Sequence, residues 1–332
     1  MNIQKLLCRS LTLALILWLL VGCCAVPSNG LTDDEAAALS SLEKVDGYPL
    51  YTMHFHGAYD QYGDRTAAFA TRPEWTCSLF ATLGDKDNVL YGRNFDWEYS
   101  PALLLFTDPP DRYASVSMVD IAYLIEEDQV KLLTDLPLAE RRALLAAPFW
   151  PFDGMNEHGL VVGMAAVPES EVPNDPAKET IGSLAVIREM LDHARDVDEA
   201  VAIMESYNIT WDGGPPLHYL IADASGRAVL VEFNAGEMVV TPSETPFHLA
   251  TNHLRVTATG DGGCWRYAIL DERLTEAEGQ LSPQEAMVLL SDVSQGGTQW
   301  SIVYDASSGD VRVAMGQEYD DVHALHLDLA GE

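Results

Sequence analysis

Two apolar runs, residues 77–83 and 89–96, flank a short turn containing Gly84, Asp85 and Asp87, and this pairing limits the chain more than any other feature. Runs of this length bounded by turn formers read as strands, and two joined so closely read as a β-hairpin. The first run opens on Cys77, and the second carries Arg93 and Asp96. A strand buries such charges only when they are partnered. On paired strands, a cysteine at the start of one faces an arginine and a carboxylate on the other.

The rest of the chain alternates blocks of strands with pairs of helices. Strands are predicted at 103–107, 113–119 and 160–166, with a helix at 139–146. Amphipathic helices follow at 181–194 and 197–207, the second with Asp196 as N-cap. A meander at 218–224, 228–234, 237–241 and 248–251 turns at Gly226, Gly236 and Pro242. Helices at 265–274 and 283–293 and a hairpin of 300–305 with 311–316 complete the pattern. This arrangement predicts an α+β layered fold rather than regular strand–helix alternation. The simplest partition is one domain running from Cys77 to about Leu329. An acidic helical stretch at 32–44 and an irregular aromatic stretch at 48–75 precede it, and the loop at 168–178 reads as a surface loop or the border of a pocket.

Of the 332 residues, 48% are apolar, enough for a substantial core, and the formal charge of −32 opposes binding to a phosphate backbone. Lys5 and Arg9 followed by the apolar run 11–22 have the form of an export signal too short to span a bilayer comfortably. Leu20, Val21, Gly22 and Cys23 resemble the lipobox of bacterial lipoproteins, which implies acylation at Cys23 and an exported protein held at the cell envelope. Ordinary signal cleavage near Ala25 is the alternative. Cys8, Cys23 and Cys24 belong to this leader, so Cys77 and Cys264 alone fall in the globular part. That is no disulfide framework, and the two are either a pair or a nucleophile with a packed thiol.

A cysteine thiol is mostly protonated at neutral pH and needs a base or a positive neighbour, which Arg93 offers. If Cys77 were the first residue of a cut chain, its own α-amine would be a base with a pKa of roughly 7.7–8.0. Asp96 would then accept hydrogen bonds from that amine.

Four ordered blocks now carry a resemblance. They are Cys77; Gly92-Arg93-Asn94-Phe95-Asp96, whose arginine and aspartate fall sixteen and nineteen residues later; Met155-Asn156-Glu157-His158-Gly159-Leu160; and Ala250-Thr251-Asn252-His253-Leu254, with Arg266 beyond. This pattern resembles the cysteine-type N-terminal nucleophile hydrolases, which comprise bile salt hydrolases and penicillin V acylases, acid ceramidase-like amidases and isopenicillin N acyltransferase-like proteins. The short step from Asn252 to Arg266 is similar to the ceramidase and acyltransferase branches and makes bile acids a less favoured substrate. The resemblance implies a four-layer αββα fold with two central antiparallel sheets. It implies Cys77 as nucleophile and, through its α-amine, base; Arg93 and Asp96 as the groups that hold it; Asn156 and Asn252 as the oxyanion hole; and Arg266 behind the cysteine.

It further implies self-cleavage between Thr76 and Cys77, so that residues 1–23 are a signal, 24–76 a propeptide and 77–332 the catalytic domain. Trp75 and Thr76 stand where a small residue is usual. The expected partner is a small N-acyl amide, with no metal, no organic cofactor, no nucleic acid and membrane contact through the anchor alone. An acyltransferase using the same acyl-enzyme and a non-catalytic binding protein on the same fold are the alternatives. Phe80, Leu103, Leu104, Leu105, Phe149 and Trp150 read as lining for an acyl pocket or as core. His54, His56, His323 and His326 read as surface or packing residues rather than metal ligands.

Overall fold

Strand after strand in this chain is buried on both faces, and the architecture follows from where those faces meet. The computed structural model describes residues 30–66, 76–130, 132–211 and 213–331; the leader, including Cys23, lies outside them. The larger sheet has nine strands: β1 (Glu43–Asp46), β2 (Leu50–Phe55), β5 (Ala102–Thr107), β6 (Ser115–Asp120), β7 (Pro151–Asn156), β8 (Val161–Ala166), β11 (Leu217–Asp223), β12 (Arg227–Asn234) and β13 (Glu237–Pro242), in that spatial order. All neighbours are antiparallel except β2 and β5. The smaller sheet is antiparallel throughout, in the order β14 (Phe247–Ala250), β3 (Thr76–Thr82), β4 (Leu90–Asp96), β15 (Thr298–Asp305), β16 (Asp310–Met315), β17 (His323–His326). A parallel pair, β9 (Glu179–Gly182) and β10 (Tyr207–Thr210), lies apart.

Helices cover the outer faces. Helix α1 (Asp33–Ser40) and the single turn α2 (Glu127–Val130) flank the β1–β5 end, while α3 (Ala185–His193) and α4 (Val197–Ser206) pack on β7, β8, β11 and β12. Helices α5 (Trp265–Glu276) and α6 (Pro283–Asp292) pack on β14, β3, β4 and β15, and β3 lies against β8 and β11 of the other sheet. The layers therefore run helix, sheet, sheet, helix, as expected. Period-two alternation explains the sorting. Cys77, Leu79 and Ala81 of β3 face the core between the sheets, whereas Phe80 faces α5 and α6.

The sheets approach closely where Gly163 of β8 meets β3 and β4: a Cβ there would lie 2.7 Å from the Tyr91 hydroxyl and 2.9 Å from Leu79. Any larger residue would push the two sheets apart at the level of the hairpin.

The fold starts well before Cys77, contrary to the sequence-based partition. Thr32 caps α1 in a reciprocal capping box with Glu35, and the helix ends at Ser40 rather than 44. The stretch expected to be irregular contains β2, which pairs with β5. Leu31, Leu39, Tyr51, Met53, Phe55 and Tyr59 form one apolar cluster with Leu103, Leu105, Val119, Leu144 and Phe149. Phe149, Leu103 and Leu105 are thus core residues beneath the N-terminal segment, and Phe80 is core beneath α5 and α6, so none of the four lines an acyl pocket. Two further corrections are local. Residues 138–149 form a 3₁₀ run, with Pro148 removing a donor from it. Residues 179–182 are strand β9, with α3 starting later, at Ala185. Among the described residues, no helix is long and apolar enough to cross a membrane.

This packing has consequences that denaturation can check. A chain beginning at Cys77 lacks β2 and one wall of a core cluster, so expressed alone it should fail to give the cooperative melt of the full protein; in the full chain, Met53→Ala should cost about 2–5 kcal/mol in a denaturant titration. Asp120, buried at the end of β6, accepts the Ala122 N–H, and burial raises its pKa from 3.8 to about 7. Between those values the folded chain keeps a proton the unfolded chain has released, so stability falls as pH rises through that window. Denaturation at pH 5 and pH 8 should show Asp120→Asn flattening this dependence and stabilising the protein at pH 8, by roughly 2 kcal/mol.

Candidate active site

The register of β3 on β4 sets Cys77 opposite Phe95, with Leu79 opposite Arg93 and Thr76 opposite Asp96. Cys77 and Arg93 therefore share the inner face, and Arg93 Nη2 lies 3.5 Å from Cys77 Sγ. Both are fully buried. The same guanidinium crosses to the other sheet, where Nη1 donates to Phe152 O at 2.8 Å and to the Asp153 carboxylate. Tyr304 of β15 donates its hydroxyl to the other oxygen of Asp153. Burial pulls the Arg93 pKa down, but Asp153 and Cys77 outweigh it and hold the guanidinium charged. Burial also pushes the Cys77 thiol upward, with Arg93 opposing.

On the outer side of β3, Arg266 from the first turn of α5 donates to Cys77 O, to Ser78 Oγ at 2.9 Å and to Asn252 Oδ1 at 2.8 Å. It stands 3.6 Å from Asp96. Asn252 follows β14, the strand paired with β3, and its Oδ1 also accepts the Cys77 N–H at 2.8 Å while its Nδ2 donates to Ala166 O. Asp96 takes hydrogen bonds from Thr298 Oγ1, from Gln295 Nε2 at 2.6 Å and from Thr76 Oγ1 at 3.4 Å. Burial raises its pKa, and the Thr298 and Gln295 bonds oppose that rise.

Four of the expected residues, Arg93, Asp96, Asn252 and Arg266, thus converge on a fifth, Cys77, and on Thr76 beside it. Asn156 does not. Its Nδ2 donates to Leu191 O and Ala194 O at the end of α3, and its Oδ1 accepts from His158 and Leu160. With both hydrogens spent, it has none for an oxyanion. Its block is instead a turn, in which Gly159 adopts a φ of +70° that other residues disfavour.

Sequence reasoning missed several residues that hold this constellation: Asp153, Tyr304, Thr298, Gln295, Ser78 and the pair His218–Glu232. His218 Nε2 lies 2.7 Å from Thr251 O, and Nδ1 lies 3.1 Å from Glu232 Oε1. With the carbonyl as acceptor, the pair anchors the residue before Asn252 from beneath. Glu232 also accepts the Arg255 and Val256 N–H groups. For His218 and Glu232 the available signal was charge inside apolar strands, since each interrupts a run that otherwise reads as core. Phe95, the cross-strand partner of Cys77, stacks on Trp300 at 4.2 Å and lies 5.2 Å from Phe152.

An open cavity of about 890 Å³ begins next to Asn252, lined by His253, Leu254, Pro168, Glu169, Glu171 and the backbone around Gly262. The loop at 168–178 therefore does border a pocket. Cys264, the N-cap residue of α5, is half-buried and, like Cys77, free. His326 pairs with Asp310 at the surface, and His54 stacks on Phe106. Among the described residues one group has metal-ligand spacing, Asp46, Asp321 and His323, with ligating atoms within 4.8 Å of one another. His323 Nε2 already lies 2.6 Å from Asp46 Oδ2, so a side-chain contact between β1 and β17 accounts for the cluster.

A helix–sheet–sheet–helix sandwich with a buried cysteine at the start of an inner strand, backed by two arginines, defines a class of amide-bond hydrolases. Residues 77–253 match the model of the linear amide C–N hydrolases, choloylglycine hydrolase family, a span that opens on Cys77 and closes one residue beyond Asn252. The chain belongs to this family. Its fold is similar to that of a mutant of conjugated bile acid hydrolase from Clostridium perfringens, with a TM-score of 0.54 at 17% identity over 76% of this chain and 92% of that one. It is also similar to penicillin V acylase from Agrobacterium tumefaciens, with a TM-score of 0.53 at 18% identity over 77% and 88% of the two chains. An uncharacterized protein of Paramecium bursaria Chlorella virus 1 is 31% identical over 109 residues; the match spans 30% of this chain and 38% of that relative's length.

Removing Asp153 would strand the Arg93 charge between the sheets. Asp153→Ala should therefore cost about 3–5 kcal/mol in a denaturant titration, whereas Asn156→Asp should lower stability through its lost bonds to Leu191 and Ala194 more than it alters chemistry at Cys77.

Proposed function

We propose that the protein is a self-maturing amidase that cleaves linear N-acyl amides through Cys77 as an N-terminal nucleophile. The observation that carries this reading is the set of contacts on one residue: Arg93 at the Cys77 sulfur, Asn252 at its nitrogen and Arg266 at its carbonyl. A packed core cysteine needs none of these.

In maturation, the thiol attacks the Thr76 carbonyl carbon, the C–N bond breaks, and the Cys77 nitrogen leaves as a free amine. Water then hydrolyses the thioester, giving a Thr76 carboxylate and restoring the thiol. Asp96, already bonded to Thr76 Oγ1, lies beside the new amine and stabilises its protonated form.

In turnover, the thiol proton passes to the α-amine and the sulfur attacks the substrate carbonyl. Arg93 stabilises the thiolate, and the amide of Asn252, steered by Ala166 O, is directed at the oxyanion. The α-ammonium protonates the departing amine, leaving an acyl-enzyme. Water, deprotonated by the α-amine, releases the carboxylic acid.

The N-terminal segment supplies β2 and one wall of a core cluster, so cutting the chain does not release it. Residues 1–23 direct export, and acylation at Cys23 holds the segment, and with it the enzyme, at the cell envelope.

Intact-mass measurement of purified protein should show a fragment beginning at Cys77, co-eluting in gel filtration with the fragment ending at Thr76. Cys77→Ala should remain a single chain and release no amine from a panel of N-acyl amides. An uncut wild-type chain, or amine release by the variant, would defeat the proposal. Arg93→Lys keeps a charge without the two-pronged contact to Cys77 and Asp153, and should lower kcat by at least about tenfold.

A further inference from the structure

Because Cys77 presents its nitrogen and its sulfur in different directions, the two halves of a substrate can be placed. The sulfur faces Arg93 on the inner face, where Cys77 pairs across the hairpin with Phe95, itself packed on Phe152 and Trp300, while the nitrogen faces Asn252. A leaving amine collects its proton from that nitrogen, so it departs on the Asn252 side. The cavity of about 890 Å³ lies there, since His253 follows Asn252 and Pro168 comes two residues after Ala166, whose carbonyl holds the Asn252 amide.

The charged side chains that line the cavity have one sign. Glu169 and Glu171 stand at the rim on a loop tied to the end of β12, Ser170 Oγ donating to Phe233 O and Gly236 N to Glu171 O. Of the described residues lining the cavity, none is lysine or arginine. The one titratable base there, His253, accepts a hydrogen bond at Nε2 from Arg255 Nη1, so its proton sits on Nδ1, directed at Thr251 Oγ1, and the ring is neutral. Arg255 itself is engaged elsewhere, donating to Gly260 O and lying over the Tyr267 ring at 4.4 Å. Arg266 is committed to Cys77 O, Ser78 and Asn252.

We infer that this cavity is the leaving-group site and that it selects amides of cationic amines, such as monoacylated diamines, over amides of amino acids or aminosulfonates. The inference rests on the amidase reading above for its chemistry. Carboxylates at the rim attract an ammonium group and repel a carboxylate or sulfonate, and the described lining offers an anion no lysine or arginine. The formal charge of −32 on the whole chain acts in the same direction on approach.

The test uses matured wild-type protein and a Glu169→Gln/Glu171→Gln double variant, each checked by mass for a fragment beginning at Cys77. Substrates are the N-phenylacetyl and N-octanoyl derivatives of 1,4-diaminobutane, ethanolamine and glycine. At low ionic strength, kcat/KM should be at least about tenfold higher for the diaminobutane amide than for the glycine amide, and the double variant should reduce that ratio about three- to tenfold. Added salt should reduce it too. A glycine amide cut as fast as the diaminobutane amide, or a ratio the double variant leaves unmoved, would overturn the inference. If no amide is cut, the amidase reading falls, and calorimetry with 1,4-diaminobutane decides the site separately. Binding weakened by the double variant sustains it, and no binding, or binding the variant does not change, ends it.

Discussion

The contact between Arg93 and Asp153 is the one on which the rest of the structure depends. It joins the two sheets through a charge pair with no access to water, and the arginine that makes it also touches the Cys77 sulfur. A buried pair of this kind is costly to desolvate and is held in place by its surroundings. Here the Phe152 carbonyl takes a further hydrogen bond from Arg93, and the Tyr304 hydroxyl gives one to Asp153. The spacing of the sheets and the placement of Cys77 are consequently one problem with one solution. Tyr91, whose hydroxyl donates to Leu220 O across the same interface, and Gly163, which lets the sheets meet, serve that geometry.

The constellation was legible wherever chemistry and local pattern coincide. Cys77, Arg93 and Asp96 lie on one hairpin, and the period-two rule brings the first two to one face without any knowledge of the fold. Asn252 and Arg266 were accessible through the ordered blocks of the family resemblance, and the structure puts both on the backbone of Cys77. Asn156 shows the hazard of the same method. Its block fits the pattern in order and spacing because the turn requires a capping side chain and a positive φ at Gly159, and a structural requirement leaves the same trace as a catalytic one.

What escaped the sequence is long-range pairing. Residues 50–55 pair in parallel with 102–107, and nothing in either segment announces the other. Strand β7 was hidden by Pro151 and Gly154, which read as loop formers, and with it went Asp153. Thr298 and Gln295 look like ordinary polar residues ahead of a hairpin until β15 is laid beside β4. Each omission concerns a partner brought in from another part of the chain, where periodicity carries no information.

The floor of the site and its rim are built differently. Beneath Asn252, the sealed His218–Glu232 couple grips the Thr251 carbonyl and two further backbone amides. Above it, glycine-rich segments and a tethered loop stand open to solvent. Sequence drift in the upper tier can therefore reshape the open cavity while leaving the backbone around Asn252 and Cys77 where it is. A scaffold divided this way can change its rim many times over one unchanged floor.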